Sequence, residues 1–302
     1  MRTVIFDIGG VLINWAPERA YEPVMAPEEV APFMERIGFD DWNRANDAVA
    51  TLDDTEAALV ARFPADAEAI RAYRRNFLLT ITEAVPGTGA VIAELQAAGV
   101  PTMALTNWAG DMFTQARGRF GILRRFFDIV VSGDEGLVKP HPEIFELACT
   151  RASISPDQGV FIDDAPANVA GAEAVGLTGV RFTDADALRA ELVSLGLLGE
   201  RAPITEPVYH LATRKHWAQA EIEGRYPWSS RDVDYLAEGF VHCSFGAQLA
   251  GTRARFYGDL AEDDLVLLRL DTEGLPVVVE DGYPHLFAEL PLDRVTQASL
   301  PA

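Results

Sequence analysis

The sequence predicts an α/β fold: a doubly wound parallel sheet carrying a helical insertion, followed by a second, smaller mixed α/β domain. Three observations carry this expectation. Short apolar runs rich in β-branched residues alternate with longer stretches of helical period over the first 200 residues. From about residue 17 to residue 84 the alternation gives way to helical composition alone. Beyond a stretch punctuated by Pro203 and Pro207, the apolar runs become shorter and more varied.

Residues 4–6, 102–105, 129–131 and 160–162 read as fully buried strands, because each is a short, almost wholly apolar run that shows no alternation. Residues 90–98, 142–152 and 167–175 have helix-forming composition, and Gly99 and Gly176 follow two of them as C-terminal caps. Strand, helix, strand implies a parallel sheet covered by helices. The insertion at 17–84 supplies Phe33, Trp42, Phe63 and Phe77 for a small core of its own, and Trp42 reads as core rather than as a substrate platform. After the linker, strands are expected at 208–211, 240–242, 265–270 and 276–279, with helices at 215–223 and 247–257. The expected domains are 1–200, with the helical cap at about 17–84, and 201–302.

With 302 residues, 49% of them hydrophobic, the chain is long enough for two cores. Its net charge is −21, divided as −14 up to residue 200 and −7 after it, so neither part offers the basic field that gathers nucleic acid. Cys149 and Cys243 make no disulfide framework and no metal-binding CxxC, which fits a reducing cytosol. The opening residues break after three apolar positions at Asp7, and no run approaches the roughly 18 apolar residues of a membrane span. A soluble cytoplasmic protein, without a membrane or nucleic-acid partner, is expected.

The residues that carry chemistry recur at one place in the pattern. The first strand runs into Asp7-Ile8-Gly9-Gly10, the second into Thr106-Asn107, Lys139 follows the third, and the fourth runs into Asp163-Asp164. In a doubly wound sheet the carboxyl ends of the strands are where ligands bind. A carboxylate, a hydroxyl, an ammonium and a carboxylate pair can hold Mg²⁺ through oxygen, balance phosphate charge, and supply an Asp nucleophile. Each residue alone could be a cap, a turn or a solvated charge. All four at successive strand ends are hard to explain that way.

These four motifs, in this order, resemble the haloacid dehalogenase superfamily, in particular its bacterial phosphatases with a small helical cap. The resemblance covers about residues 1–185. It implies that Asp7 is the nucleophile and becomes an aspartyl-phosphate, that Thr106 and Asn107 hold the phosphoryl oxygens, and that Lys139 bridges nucleophile and phosphate. It further implies Mg²⁺ held by Asp7, Asp164 and the carbonyl of Gly9, with Asp163 acting through water. The sequence departs from the family at Gly9, where most such phosphatases carry a second Asp as general acid and base. That help is worth about 10² to 10⁴ in rate. The expected activity is Mg²⁺-dependent hydrolysis of a small soluble phosphomonoester resembling a sugar phosphate. Two alternatives stand beside it: a catalytically weak binding module whose tail holds the ligand, and a 2-haloacid dehalogenase working without metal.

In the last third, His210, His242 and His285 lie 32 and 43 residues apart, which is no metal-ligand spacing. The first two fall in expected strands and His285 in an expected loop, and a lone strand histidine is usually structural. Tyr209-His210-Leu211-Ala212, residues 239–244, residues 265–271 and residues 283–287 resemble a bacterial domain family of unknown function, number 952. Two of these segments are distantly similar to ADP-ribosyltransferase-like proteins. That likeness implies that His210, His242, Ser244 and His285 line a pocket for a nucleotide or ADP-ribosyl group.

Overall fold

The computed structural model describes residues 2–299. Its strands are β1 Thr3–Phe6, β2 Ile13–Asn14, β3 Glu83–Ala84, β4 Thr102–Thr106, β5 Ile129–Val131, β6 Gly159–Asp163 and β7 Thr178–Arg181. They continue as β8 Val208–Thr213, β9 Trp228–Ser230, β10 Val233–Asp234, β11 Val241–His242, β12 Ser244–Phe245, β13 Leu265–Leu270, β14 Val277–Glu280, β15 Tyr283–Leu286 and β16 Val295–Ala298. The α-helices are α1 Pro27–Ile37, α2 Phe39–Asn46, α3 Asp53–Arg62, α4 Ala67–Arg75, α5 Thr88–Ala97, α6 Gly110–Arg119 and α7 Ser132–Glu135. After them come α8 Pro142–Ala152, α9 Pro166–Ala174, α10 Ala185–Ser194, α11 Arg214–Glu223, α12 Tyr235–Glu238 and α13 Leu249–Phe256.

The chain divides into two compact units. One comprises residues 1–85, 100–119 and 124–188, and the other residues 86–99, 120–123 and 189–302. The division does not follow the linker near residue 200. Helix α5 belongs to the second unit because Ala90 and Ala93 share a buried cluster with Phe240, Val278 and Phe287. Closeness of that contact is set by Gly89, where a Cβ would stand 2.7 Å from the Phe287 ring. Apolar composition marks a helix as buried, but says nothing about which surface buries it.

In the first unit, five parallel strands lie in the order β5-β4-β1-β6-β7. The chain winds outward from β1 first through β4 to β5, then through β6 to β7, so the carboxyl ends of β1, β4 and β6 flank a topological switch point. All residues of β1, β4 and β6 are buried, which is why those strands carry no polar alternation. Ile144, Phe145, Ala148 and Cys149 of α8 and Ala172 of α9 pack with Ile5, Met103 and Phe161 of the sheet.

The insertion is helical as expected, and it hangs on a two-stranded antiparallel neck, β2 with β3, that the sequence reading did not foresee. Two residues per strand are too few for a periodic signal. Phe33, Trp42 and Phe77 are buried in the cap, whereas Phe63 is only half-buried. Tyr21, Phe39 and Tyr73 complete its core, with the Phe39 and Tyr73 rings 5.2 Å apart edge-on. Trp42 is core, its indole N–H donating to the Thr55 carbonyl at 3.2 Å.

The second unit is built on antiparallel sheets, one ordered β12-β8-β13-β16 and one ordered β11-β15-β14, with a β9-β10 hairpin. His285 lies on β15, paired with His242 of β11, and not in a loop. Pro284, within β15, stands opposite Val279 of β14, and its carbonyl accepts from the Cys243 N–H at 3.0 Å. No helix among the described residues is long and apolar enough to cross a membrane.

Candidate active site

Asp7 follows the last residue of β1, and its Oδ1 accepts from the Ile8 backbone at 2.7 Å. Lys139 reaches the same oxygen from the segment after α7, Nζ to Oδ1 2.8 Å, and reaches Asp163 Oδ2 at 2.7 Å. Its third proton goes to the Leu105 carbonyl at 3.1 Å, so the ammonium, buried to within 4%, is fully satisfied. Asn107 holds the Lys139 peptide with both ends of its amide, Nδ2 to the carbonyl at 3.0 Å and Oδ1 from the N–H at 2.9 Å. The Asn107 side chain thereby fixes the lysine's backbone.

Asp163 is completely buried. Its Oδ1 accepts from the Ala165 N–H at 2.8 Å, and Asn168 Nδ2 lies 3.1 and 3.0 Å from its two oxygens. Asn168, which follows the Asp163-Asp164 pair in sequence and was given no role there, sits on the first turn of α9, five residues after Asp163. Asp164 is exposed, and together Asp7, Asp163 and Asp164 offer carboxylate oxygens within 4.8 Å of one another. Gly10 has φ +69°, and a Cβ there would stand 2.5 Å from Asp164 Oδ2, so the loop beside the cluster admits only glycine.

Charge in this cluster is out of balance. Two buried carboxylates share one ammonium, and a third carboxylate adjoins them. Burial raises the Asp7 carboxyl to about 7, Lys139 opposing it and Asp163 adding to it. Burial works to lower the Lys139 ammonium, but Asp7 and Asp163 prevail and hold it above the ordinary lysine value. Burial and Asp163 also raise Asp164. Hard oxygen donors with excess negative charge fit a hard divalent cation, which would stabilise all three in their ionised forms.

Above the strand ends opens a cavity of about 570 Å³, in the range of small-molecule sites. Asp7, Thr106, Asn107, Lys139 and Asp164 line it from the sheet, and Asn14, Trp15, Asn43, Asn46, Asp47 and Tyr73 from the neck and cap. The cap is latched in place: Gly110 and Asp111 N–H groups donate to the Val49 and Ala50 carbonyls at 3.2 and 2.8 Å, and Arg74 pairs with Asp111 at 2.7 Å. Gly133 makes the close approach possible, since a Cβ there would stand 2.3 Å from the Val49 carbonyl oxygen.

Residues 1–176 match the family model for haloacid dehalogenase-like hydrolase. The chain belongs to that family. It is a hydrolase with the α/β fold described above, and the tail, residues 211–298, matches the family of unknown function number 952. Among curated relatives, a phosphoglycolate phosphatase of Cereibacter sphaeroides is 31% identical over 61% of this chain and 86% of its own. A sesquiterpene phosphatase of Aspergillus oryzae is 27% identical over 64% of this chain and 96% of its own. A solved structure, a predicted HAD-like hydrolase from Porphyromonas gingivalis, shares the fold at TM-score 0.50 and 20% identity, covering 65% of this chain and 97% of its own.

The four residues expected to line a nucleotide pocket in the second unit lie near one another, with the His242 and His285 rings 5.4 Å apart, but they do not share one cavity. His210 is buried to within 1%; its Nδ1 donates to the His242 carbonyl at 2.8 Å, and its Nε2 therefore accepts from the Tyr226 hydroxyl at 2.8 Å. His285 stacks on Phe240 with ring centroids 4.0 Å apart and bonds Glu280 at 3.0 Å. Only His242 and Ser244 reach a shared cavity, and its 80 Å³ holds about two or three waters. Ser244 Oγ is already paired with Thr252 Oγ1 at 3.0 Å.

Burial lowers the His210 imidazole to about 4, so it is neutral in the folded state at every pH down to that value. Unfolded, it would bind a proton below about 6.5. Its contribution to stability is thus present above pH 6.5 and is lost as pH falls toward 4, at roughly 1.4 kcal/mol per pH unit. The His210 ring resonances should keep their neutral NMR shifts down to about pH 4; titration near 6.5 would refute the buried, doubly bonded ring.

Proposed function

We propose that the first unit is a Mg²⁺-dependent phosphomonoester hydrolase that works through an aspartyl-phosphate on Asp7. One observation carries this reading: Lys139 joins Asp7 to Asp163, with Asp164 beside them, on the floor of a capped cavity at the strand ends. The two phosphatase relatives support it.

Asp7 Oδ1 is held by Ile8 and Lys139, while Oδ2 accepts no hydrogen bond among the described residues and is free to attack phosphorus. Lys139 would balance charge on the transferring phosphoryl group, and Thr106, buried at the end of β4, would bond one of its oxygens. Asn107 acts through Lys139, as a positioning residue. Asp7, Asp164 and the Gly9 carbonyl would hold Mg²⁺, with Asp163 reaching it through water. The ion would neutralise phosphoryl charge and keep Asp7 ionised against the effect of burial.

Asn43, Asn46 and Asp47 on the cap, set against Trp15 and Tyr73, make a wall that pairs amide and carboxyl groups with aromatic faces. Such a wall suits a hydroxylated, sugar-like alcohol better than a purely apolar one. Turnover of p-nitrophenyl phosphate with Mg²⁺ tests the reading. Activity should vanish with EDTA and return with added Mg²⁺. Hydrolysis of a 2-haloacid that survives EDTA, with no phosphate release, would establish the dehalogenase alternative in its place.

A further inference from the structure

An alkyl phosphate needs a proton for its leaving oxygen, because an alkoxide leaves poorly, and the acyl-phosphate then needs a base for the attacking water. Position 9, two residues after the nucleophile, offers neither: it is Gly9, and a Cβ built there meets no atom within 4 Å. The acid–base group must come from another wall of the cavity.

The titratable side chains lining that cavity are Asp7, Lys139, Asp164, Tyr73 and Asp47. The first three are engaged in the nucleophile and metal cluster. Burial holds the Tyr73 hydroxyl well above the ordinary phenol range, so it keeps its proton near neutrality. Asp47 remains. It is the C-cap of α2, where a carboxylate faces the negative end of the helix dipole, so helix stability gives no reason for it. Its backbone carbonyl is pinned by the Ser132 hydroxyl, and its half-buried carboxyl makes no hydrogen bond among the described residues. Asn43 and Asn46, four and one residues earlier on α2, line the same cavity. Asn46 is 2% exposed, and both its amide oxygen and its amide nitrogen lack a partner. A buried amide left open at a cavity wall points to polar groups supplied from outside; Asn43, half-buried, accepts from the Tyr73 hydroxyl at 3.3 Å.

We propose that Asp47 of the cap is the general acid–base of this hydrolase, with Asn43 and Asn46 beside it holding hydroxyls of the leaving alcohol. The proposal rests on the phosphatase reading above. In the first step Asp7 Oδ2 bonds to phosphorus, the bond from phosphorus to the alcohol oxygen breaks, and the Asp47 carboxyl proton passes to that oxygen. In the second, water bonds to phosphorus, Asp47 takes the water's proton, and the bond from phosphorus to Asp7 breaks. Inorganic phosphate leaves, with Asp7 ionised and Asp47 protonated as at the start. Burial lifts the Asp47 carboxyl to about 6, against the pull of Lys139 from the sheet side and Arg44 on its own helix, and Tyr73 of α4 faces it as a neutral phenol. A group titrating there can give and take a proton near neutral pH.

The test compares the full chain with Asp47→Asn, in Mg²⁺, on β-glycerol phosphate and on p-nitrophenyl phosphate, whose leaving group needs no proton. Asp47→Asn should melt no lower than wild type, since it removes an anion from a helix C-terminus. Its kcat on β-glycerol phosphate should fall about 10²-fold or more with KM changed only a few-fold. Wild-type kcat on that ester should decline as pH rises through about 6, and the variant should lack that limb. On p-nitrophenyl phosphate the variant should release one equivalent of nitrophenolate in a burst, then turn over slowly. Unchanged kcat on β-glycerol phosphate, or equal losses on both esters with no burst, would overturn the role of Asp47. If wild type itself hydrolyses neither ester faster than Asp7→Asn, the phosphatase reading falls and takes this proposal with it.

Discussion

Asp7→Asn should abolish phosphoester turnover, by roughly 10³-fold or more, without lowering the stability of the metal-free protein. The two effects have separate causes. An amide cannot form the acyl-phosphate, so the reaction loses its covalent route and keeps only the binding contributions of the site. Stability behaves differently because Asp7 is an unfavourable ion in the metal-free fold: burial and Asp163 act against its charge and outweigh Lys139 and the Ile8 N–H, which favour it. Asparagine fills the same volume without that charge. Steady-state kinetics and urea denaturation on the same preparation check both halves. A variant retaining more than a tenth of wild-type activity would remove Asp7 from the nucleophile's role.

Lys139→Met should lose activity to a similar extent and, unlike Asp7→Asn, should also destabilise the first unit by about 3–5 kcal/mol. The ammonium touches two carboxylates that are themselves almost wholly shielded, and it also satisfies the Leu105 carbonyl. A methionine of similar length leaves Asp7 and Asp163 facing each other uncompensated. Adding Asp7→Asn to Lys139→Met should recover part of the loss, because one of the stranded charges is then gone. Additive effects in this double-mutant cycle would mean that the lysine and Asp7 do not form the coupled pair seen here.

The strands bearing the catalytic motifs were legible for a plain reason. A strand buried on both faces must be apolar throughout, so residues 129–131 coincide with β5, and the runs at 4–6 and 160–162 lie inside β1 and β6. Asp7, Asp163 and Asp164 were legible as a set, because charged residues recurring directly after successive buried runs fall together at the carboxyl ends of the strands. The bonds from the Asn107 side chain to the Lys139 backbone could not be read from the sequence, since an amide's two ends do not announce their partners there. Asp47 and Asn46 were invisible. They sit on an amphipathic cap helix among other polar residues, where nothing local separates a solvated face from a cavity wall. In the tail, His210 is the structural strand histidine that its place in the pattern suggested, buried and bonded at both ring nitrogens.

By itself, the sequence determined the alternation of strands and helices, the inserted cap, and the identity of the groups at the strand ends, because periodicity and burial are properties of a few neighbouring residues. The tertiary structure alone decided that α5 packs with the C-terminal sheets, that Lys139 bonds two carboxylates at once, and that Asp47 shares a cavity with Asp7. Each of these joins residues tens of positions apart in the chain. Which surfaces meet there depends on the complementarity of whole faces, and no local pattern encodes it.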